Sequence, residues 1–383
     1  MSMQELLKAA VRLGASDLHL STGLVPMVRF HGEIASLEGW TDGPVPAEMA
    51  TALIRSILDE RQRGELDRHA EYDFSAEVEG VGRFRGNAYR QHRGPGVSLR
   101  LIPTQLRTLE ELGAPPALAN LMKGRHGLVL ITGPTGSGKS TTAAALIDLV
   151  NHTRAGHIVT IEDPIEFVHT PQKCLVTQRE VGLDTGSFPD ALRAALREDP
   201  DVIFIGEMRD LATISLAVTA AETGHLVVAT LHTAGAARSV DRIVNVFPAA
   251  EQQFVRTLVA GCLLGVASQA LLKRKDKPGR IAAFEMMIAT TGVRNMVRQG
   301  KIHQLPSAIQ TGMNEGMCTF RRSVLPLVAE GRVDAAEANE MLAQFEDDVG
   351  GEVAVPTAGA VAAAQAMAAE RSAATEQAME KTL

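Results

Sequence analysis

Cysteine is scarce in this chain. The three that occur, Cys174, Cys262 and Cys318, stand far apart and form no CxxC pair. That argues against a disulfide framework and against a zinc site, and it suits a reducing compartment. Aromatic residues make up only 4% of the chain, and the formal net charge is −7. Gripping a nucleic-acid strand takes a basic groove and stacking rings, so no nucleic-acid partner is expected. No run of about 18 residues escapes interruption by charged or polar side chains, so no transmembrane helix is expected. The opening MSMQELLKAAVRLGASDLHL has no basic segment leading into an apolar one, so no signal peptide is expected.

What is present points to a globular protein of more than one domain. The chain is 383 residues long, 45% hydrophobic and 22% charged, too long for one ordinary core. Residues 1–102 mix helix and strand signals. MQELLKAAVRLG has helical spacing, DLHLS and MVRFHGEIASLE alternate like strands, and His31-Gly32 suggests a turn. AEMATALIRSILDERQRGELD reads as one amphipathic helix. EYDFSAEVEGVGRFRGNAYRQHRGPGVSLRLIP reads as three antiparallel strands, turning at Gly80-Val81-Gly82 and Gly94-Pro95-Gly96. This is a small α+β domain, followed by a linker at 103–113. From 114 to 285 the apolar runs GLVLIT, HIVTIE, KCLVTQ, VIFIGE and HLVVATLH alternate with helical stretches, the pattern of an α/β sheet with strands buried on both faces. The stretch from 250 to about 347 reads as mostly helical, with a C-terminal helical region placed at 286–347. The Ala-rich residues 348–383 read as disorder or a marginal helix, because alanine buries little area against the entropy of ordering.

GLVLITGPTGSGKSTTAAALIDLV is the strongest signal. It matches G-x-x-x-x-G-K-[ST] at Gly133, Gly138, Lys139 and Ser140, between an apolar strand and a helix. The binding segment is Gly133, Pro134, Thr135, Gly136, Ser137, Gly138, Lys139, Ser140 and Thr141. Glycines let backbone N–H groups turn inward around phosphates, the lysine reaches the β- and γ-phosphates, and the serine ligates magnesium. The expected cofactors are therefore ATP and Mg²⁺. Carboxylates at strand ends in such a domain face the ligand crevice. Glu162, Asp163 and Glu166 stand at the end of the HIVTIE strand, where a carboxylate can orient or deprotonate water. VIFIGE ends in Gly206-Glu207 where an aspartate is usual. Glu207 is expected beside the phosphate loop if its strand neighbours the loop's strand. HLVVATLH has His225 at its start and His232 at its end, and a histidine there could sense a γ-phosphate or face a subunit boundary.

Taken together, GPTGSGKST, TIEDPIE, LREDPDVIFIGEMRD and TAAETGHLVVATLHT resemble the secretion-ATPase superfamily, above all the type IV pilus retraction motors of the PilT family. GASDLHLSTG and GRFRGNAYRQHRG fit that family's N-terminal domain, and the resemblance covers about residues 1–347. It implies a PAS-like N-terminal domain before a RecA-like P-loop ATPase domain, assembled as a homohexamer. It implies Glu166 as general base, Glu207 as the acid acting on magnesium, directly or through water, and His225 and His232 as a histidine box. Arg85 and Arg100 resemble a pair of arginines that reach the γ-phosphate, with Arg83, Arg90 and Arg93 as alternatives. Implied partners are an inner-membrane pilus platform protein and related pilus motor ATPases, at the cytoplasmic face of the membrane. GVRNMVRQ, residues 292–299, matches a retraction-branch motif of the form AIRNLIRE, keeping Arg294, Asn295 and Arg298 but carrying Gly292 and Gln299. An extension motor is expected to carry a further N-terminal domain and a zinc insert. The other readings are an accessory retraction ATPase, a nucleic-acid translocase and a nucleotide-sensing scaffold.

Overall fold

A computed structural model describes residues 1–30, 33–102 and 106–345. The turn expected at His31-Gly32, the first three linker residues and the Ala-rich tail lie outside the described residues. The chain divides into two compact units: Met1–Gln105 with Glu166–Val168, and Leu106–Ile165 with His169–Leu383.

The first unit opens with helix α1 (Met3–Arg12). Ser2 and Glu5 form a capping box at its start, satisfying two backbone donors that have no helical partner. Met3, Leu6, Leu7 and Ala10 then fall on one face and are buried. Strands β1 (Asp17–Ser21), β2 (Met27–Phe30) and β3 (Glu33–Ser36) precede two helices, α2 (Ala47–Ser56) and α3 (Glu60–Arg68). The sequence pattern reads as one helix here. Asp59 breaks it by capping α3, bonded to the Gln62 backbone N–H while the Gln62 side chain returns to Asp59. Strands β4 (Glu71–Val78), β5 (Gly82–Gln91) and β6 (Gly94–Ile102) complete a six-stranded sheet in the order β3-β2-β1-β6-β5-β4. The β5–β6 turn is His92-Arg93, not the glycines after it, because Gln91 pairs with Gly94. Gly94 and Gly96 lie within β6 for a different reason. A Cβ at Gly96 would stand 2.8 Å from the Tyr89 ring, and one at Gly94 would stand 2.9 Å from the Thr22 hydroxyl.

The second unit is a seven-stranded sheet between helices. Its elements in order are α4 (Pro116–Leu121), β7 (Gly127–Thr132), α5 (Lys139–Thr153), β8 (Gly156–Glu162), β9 (Cys174–Glu180), α6 (Phe188–Ala195), β10 (Val202–Ile205), α7 (Leu211–Glu222), β11 (Leu226–Leu231), α8 (Ala236–Asn245), α9 (Gln252–Cys262), β12 (Leu263–Lys273), β13 (Arg280–Ile288), α10 (Thr291–Arg298), α11 (Leu305–Thr311), α12 (Phe320–Ala329) and α13 (Ala335–Phe345). The strand order is β13-β12-β7-β11-β10-β8-β9, parallel except for β13. β7, β10 and β11 are buried along their whole length, as their unbroken apolar runs require. Alternate β7 residues serve two cores. Leu128 and Leu130 pack with residues of α6 to α10, and Val129 and Ile131 with those of α4 and α5.

Two expectations fail here. KCLVTQ becomes β9, an edge strand that is mostly half-exposed rather than buried on both faces. Residues 263–288, read as helical, form the β12–β13 pair. LLGVASQALLK is buried on both sides, so it lacks the alternation that marks a strand, and its leucines and alanines suit a helix equally well.

Candidate functional site

The glycine-rich loop joins β7 to α5. Gly133, Gly136 and Gly138 all have positive φ, at 143°, 78° and 90°. Space forbids a side chain at two of them as well. A Cβ on Gly133 would stand 2.3 Å from the Gln269 carbonyl oxygen, and one on Gly138 would stand 2.8 Å from Gln269 Nε2. Gln269 lies on β12, beside the loop's own strand, and is 2% exposed. Its Oε1 accepts a hydrogen bond of 2.7 Å from Thr142 Oγ1 on α5. It therefore holds the far wall of the loop. Nothing in the sequence pattern singled it out, because the strand that carries it went unread.

Within the loop, Lys139 Nζ donates to the Gly133 and Pro134 carbonyls at 2.9 Å each. Ser137 Oγ is buried with no hydrogen-bond partner. A buried hydroxyl left unpaired is costly; a phosphate oxygen is the ligand that a hydroxyl in such a loop accommodates. Pro134, Thr135 and Gly136 form the exposed tip, and Ser140 and Thr141, on the first turn of α5, are half-buried.

The sheet order corrects the condition placed on Glu207. Its strand, β10, does not neighbour β7; β11 lies between them. His232, just past the end of β11, spans the gap. Its Nε2 stands 3.1 Å from Glu207 Oε1, and its Nδ1 stands 3.3 Å from both Lys139 Nζ and Thr135 Oγ1. An imidazole with its proton on Nε2 fits all three contacts, donating to the carboxylate and accepting from the lysine and threonine. Arg209 Nη2 holds the other Glu207 oxygen at 2.7 Å. Burial works against the Glu207 charge, but Arg209 and His232 outweigh it and hold the carboxyl below its ordinary range. Gly206 precedes Glu207 because β8 is close: a Cβ there would stand 3.3 Å from both the Glu162 Cα and the Ile161 carbonyl oxygen.

The remaining expected residues are distributed. Glu162, at the end of β8, is buried and accepts from Thr160 Oγ1 at 2.8 Å and Gln178 Nε2 at 3.2 Å. Asp163 is exposed, and so is Glu166, which belongs to the short segment grouped with the first unit. His225 is not brought to the loop. It stands at the opposite end of β11 from His232, roughly 20 Å away at strand spacing, with its Nδ1 3.1 Å from the Ala220 carbonyl of α7. In the first unit Arg85 and Arg100 face each other directly across β5 and β6. Like charges so placed repel. Asp17, the β1 partner of Arg100, is buried and binds Arg100 Nε at 2.8 Å. Arg83 and Arg90 pair instead with Ile102 and Pro95, and Arg93 sits in the turn.

The GVRNMVRQ segment forms α10. Arg294 Nε donates to the Ala289 carbonyl at 2.9 Å, and its Nη1 donates to Ala260 at 2.8 Å and Gly261 at 2.5 Å. It thereby satisfies carbonyls at the end of α9, which have no helical donors. Arg298 Nη1 donates to Asn295 Oδ1 at 2.7 Å.

A phosphate loop between a buried parallel strand and a helix, with its lysine linked through a histidine to a strand-end acid, defines a P-loop nucleoside triphosphatase. A family model described as type II/IV secretion system protein matches residues 2–340, and the chain belongs to that family. It is 51% identical to the type IV pilus retraction ATPase PilT of Pseudomonas aeruginosa, over 89% of this chain and 98% of that protein. A twitching motility protein of Neisseria gonorrhoeae is 49% identical over 85% of this chain and 86% of its own. Among solved structures, the pilus retraction motor PilT with bound ADP superposes with a TM-score of 0.84 at 44% identity, covering 89% of this chain and 96% of that one. Among the described residues no helix is long and apolar enough to cross a membrane.

Proposed function

We propose that this chain is a motor ATPase that hydrolyses ATP to drive type IV pilus retraction, and with it twitching motility. The observation that carries the reading is the 51% identity to a pilus retraction ATPase across 98% of that protein's length. The first unit is then the PAS-like domain and the second the RecA-like ATPase domain of a homohexamer. The ring works against an inner-membrane platform protein at the cytoplasmic face, alongside related pilus motors.

In this reading the loop residues Gly133–Thr141 hold the phosphates. Magnesium takes few protein ligands; Ser140 would hold it, with Glu207 acting on it directly or through water. The metal, when bound, would supply charge neutralisation for the phosphates. Glu166 accepts the proton of the attacking water. Lys139 moves from its loop carbonyls to the phosphates, and His232 reports the change to Glu207. Arg85 and Arg100, side by side on one sheet, suit the charge that spreads over the transferred phosphoryl group.

A deletion strain tests the proposal. Excess pili without twitching, rescued by the wild-type gene but not by Lys139→Ala, is the expected result. A strain without pili would point to extension and overturn it.

A further inference from the structure

In the first unit a row of charged side chains crosses four strands. Arg29 on β2 pairs with Asp17 on β1, Asp17 with Arg100 on β6, and Arg100 with Arg85 on β5. Val28, Leu18, Leu99 and Phe84, each one residue away, belong to the core of this unit. The charged row therefore lies on the other face of the sheet. It sets three cations beside a single anion. The Asp17 side chain is 5% exposed, whereas that of Arg100 is 70% exposed.

A buried carboxylate stripped of its partner is strongly destabilising. That sets a condition on Arg100. Its Nε donates to Asp17 Oδ1 at 2.8 Å. Turning its fork to a phosphoryl group stretches or breaks this bond, and Asp17 then needs another cation. Arg29 is placed to supply it. Its Nε stands 3.9 Å from Asp17 Oδ2, the other carboxylate oxygen. That is too long for a hydrogen bond, but a shift of about 1 Å makes it one. Oδ2 accepts from Ser16 Oγ at 2.7 Å and has room for a second donor. The backbone is fixed here. Ser16 N donates to the Arg29 carbonyl at 2.9 Å, and Leu101 N to the Ser16 carbonyl at 3.1 Å. Only side chains have to move. Arg85 favours the move, because it opposes Arg100 directly and an anion between the two forks relieves their repulsion.

We propose that Arg29 is a positioning residue that takes over Asp17 as Arg100 turns to the transferred phosphoryl group. The buried charge then keeps a partner throughout the exchange. The proposal rests on the role given to Arg100 in the ATP reading above. Steady-state ATPase assays on the full chain test it. Arg29→Gln leaves Asp17 with Arg100 alone and should lower kcat by about tenfold, the worth of one charged hydrogen bond, with KM for ATP little changed. Arg29→Lys keeps the cation and should retain most of the rate. Asp17→Asn added to Arg29→Gln should raise kcat again several-fold, because a neutral amide does not hold Arg100 back. A merely structural role for Arg29 gives no such rescue. A double variant as slow as Arg29→Gln alone overturns the exchange. So does an Arg29→Gln chain with wild-type kcat, or one whose KM rises as much as its kcat falls. Arg100→Ala keeps the two layers apart. It should be slow in every background, and a wild-type rate there overturns the role of Arg100 itself.

Discussion

Replacing Gln269 with leucine should loosen the phosphate loop without emptying the core. The two side chains are of similar size, so no large cavity forms. What disappears is the acceptor for Thr142 Oγ1, in a pair where Gln269 is 2% exposed and Thr142 fully buried. A buried hydroxyl left without a partner costs about 1–3 kcal/mol. At about 1.36 kcal/mol per tenfold, this lowers hydrogen-exchange protection in the first turns of α5 and in β12 by roughly 5- to 150-fold. The companion variant is Thr142→Val. When both polar partners become apolar groups of similar shape, the cost nearly vanishes. Gln269→Leu with Thr142→Val should therefore recover most of the protection that Gln269→Leu alone loses. Amide exchange read peptide by peptide on the full-length protein checks this, with β1 and β6 of the first unit as the internal control. A double variant no better protected than the single one would refute the argument that the pair's worth lies in satisfying Thr142.

Other outcomes follow from the same geometry. Glu166→Gln should abolish turnover while ATP still binds, measured by phosphate release against equilibrium binding; normal turnover would remove Glu166 from the base role. His232→Ala cuts the side-chain link that His232 makes between Lys139 and Glu207, and should lower kcat by about a hundredfold or more, with ADP affinity changed only a few-fold. An equal loss in both would make the histidine a binding residue instead. Arg209 and His232 hold the Glu207 carboxyl below the usual carboxylate range, so its pairing contributes stability above that range and the contribution is lost as pH falls through the lowered value. Arg209→Gln should flatten this acid limb, seen in thermal midpoints taken across it. Asp210→Ala removes the N-cap of α7, bonded to Thr213 N at 2.9 Å, and should cost about 1 kcal/mol.

The parts of the site that were legible in advance are those where one short segment carries the whole physical requirement. Gly133 to Ser140 needs a strand, a tight turn and a helix start, all contiguous, so the loop could be read directly. Glu207 was visible as a strand-end acid, but its distance from the loop depended on strand order, which pairing decides and local pattern does not. β11 slipped between them, and His232 gained its place by that fact. Gln269 was invisible for a related reason. Its strand is buried on both faces, so the period that separates strand from helix is absent, and the residue matters through the glycines it excludes rather than through any motif of its own. The split of α2 from α3 could have been found: Asp59 and Gln62 have capping-box spacing, overlooked beneath a continuous amphipathic pattern.

The two glycines at the ends of the fingerprint are not equally bound to their positions. Gly133 is hemmed in by a backbone carbonyl, which no substitution elsewhere can move aside, whereas Gly138 is crowded by the side chain of Gln269. The two positions therefore differ in what would free them. A residue other than glycine at 138 needs the Gln269 side chain to shift or shrink, and even then it inherits a left-handed backbone. At 133 the crowding atom is backbone and no side-chain shift relieves it. The phosphate loop is thus tied to a strand more than a hundred residues further along the chain, whose Gln269 backbone and side chain set what its first and last glycines can become.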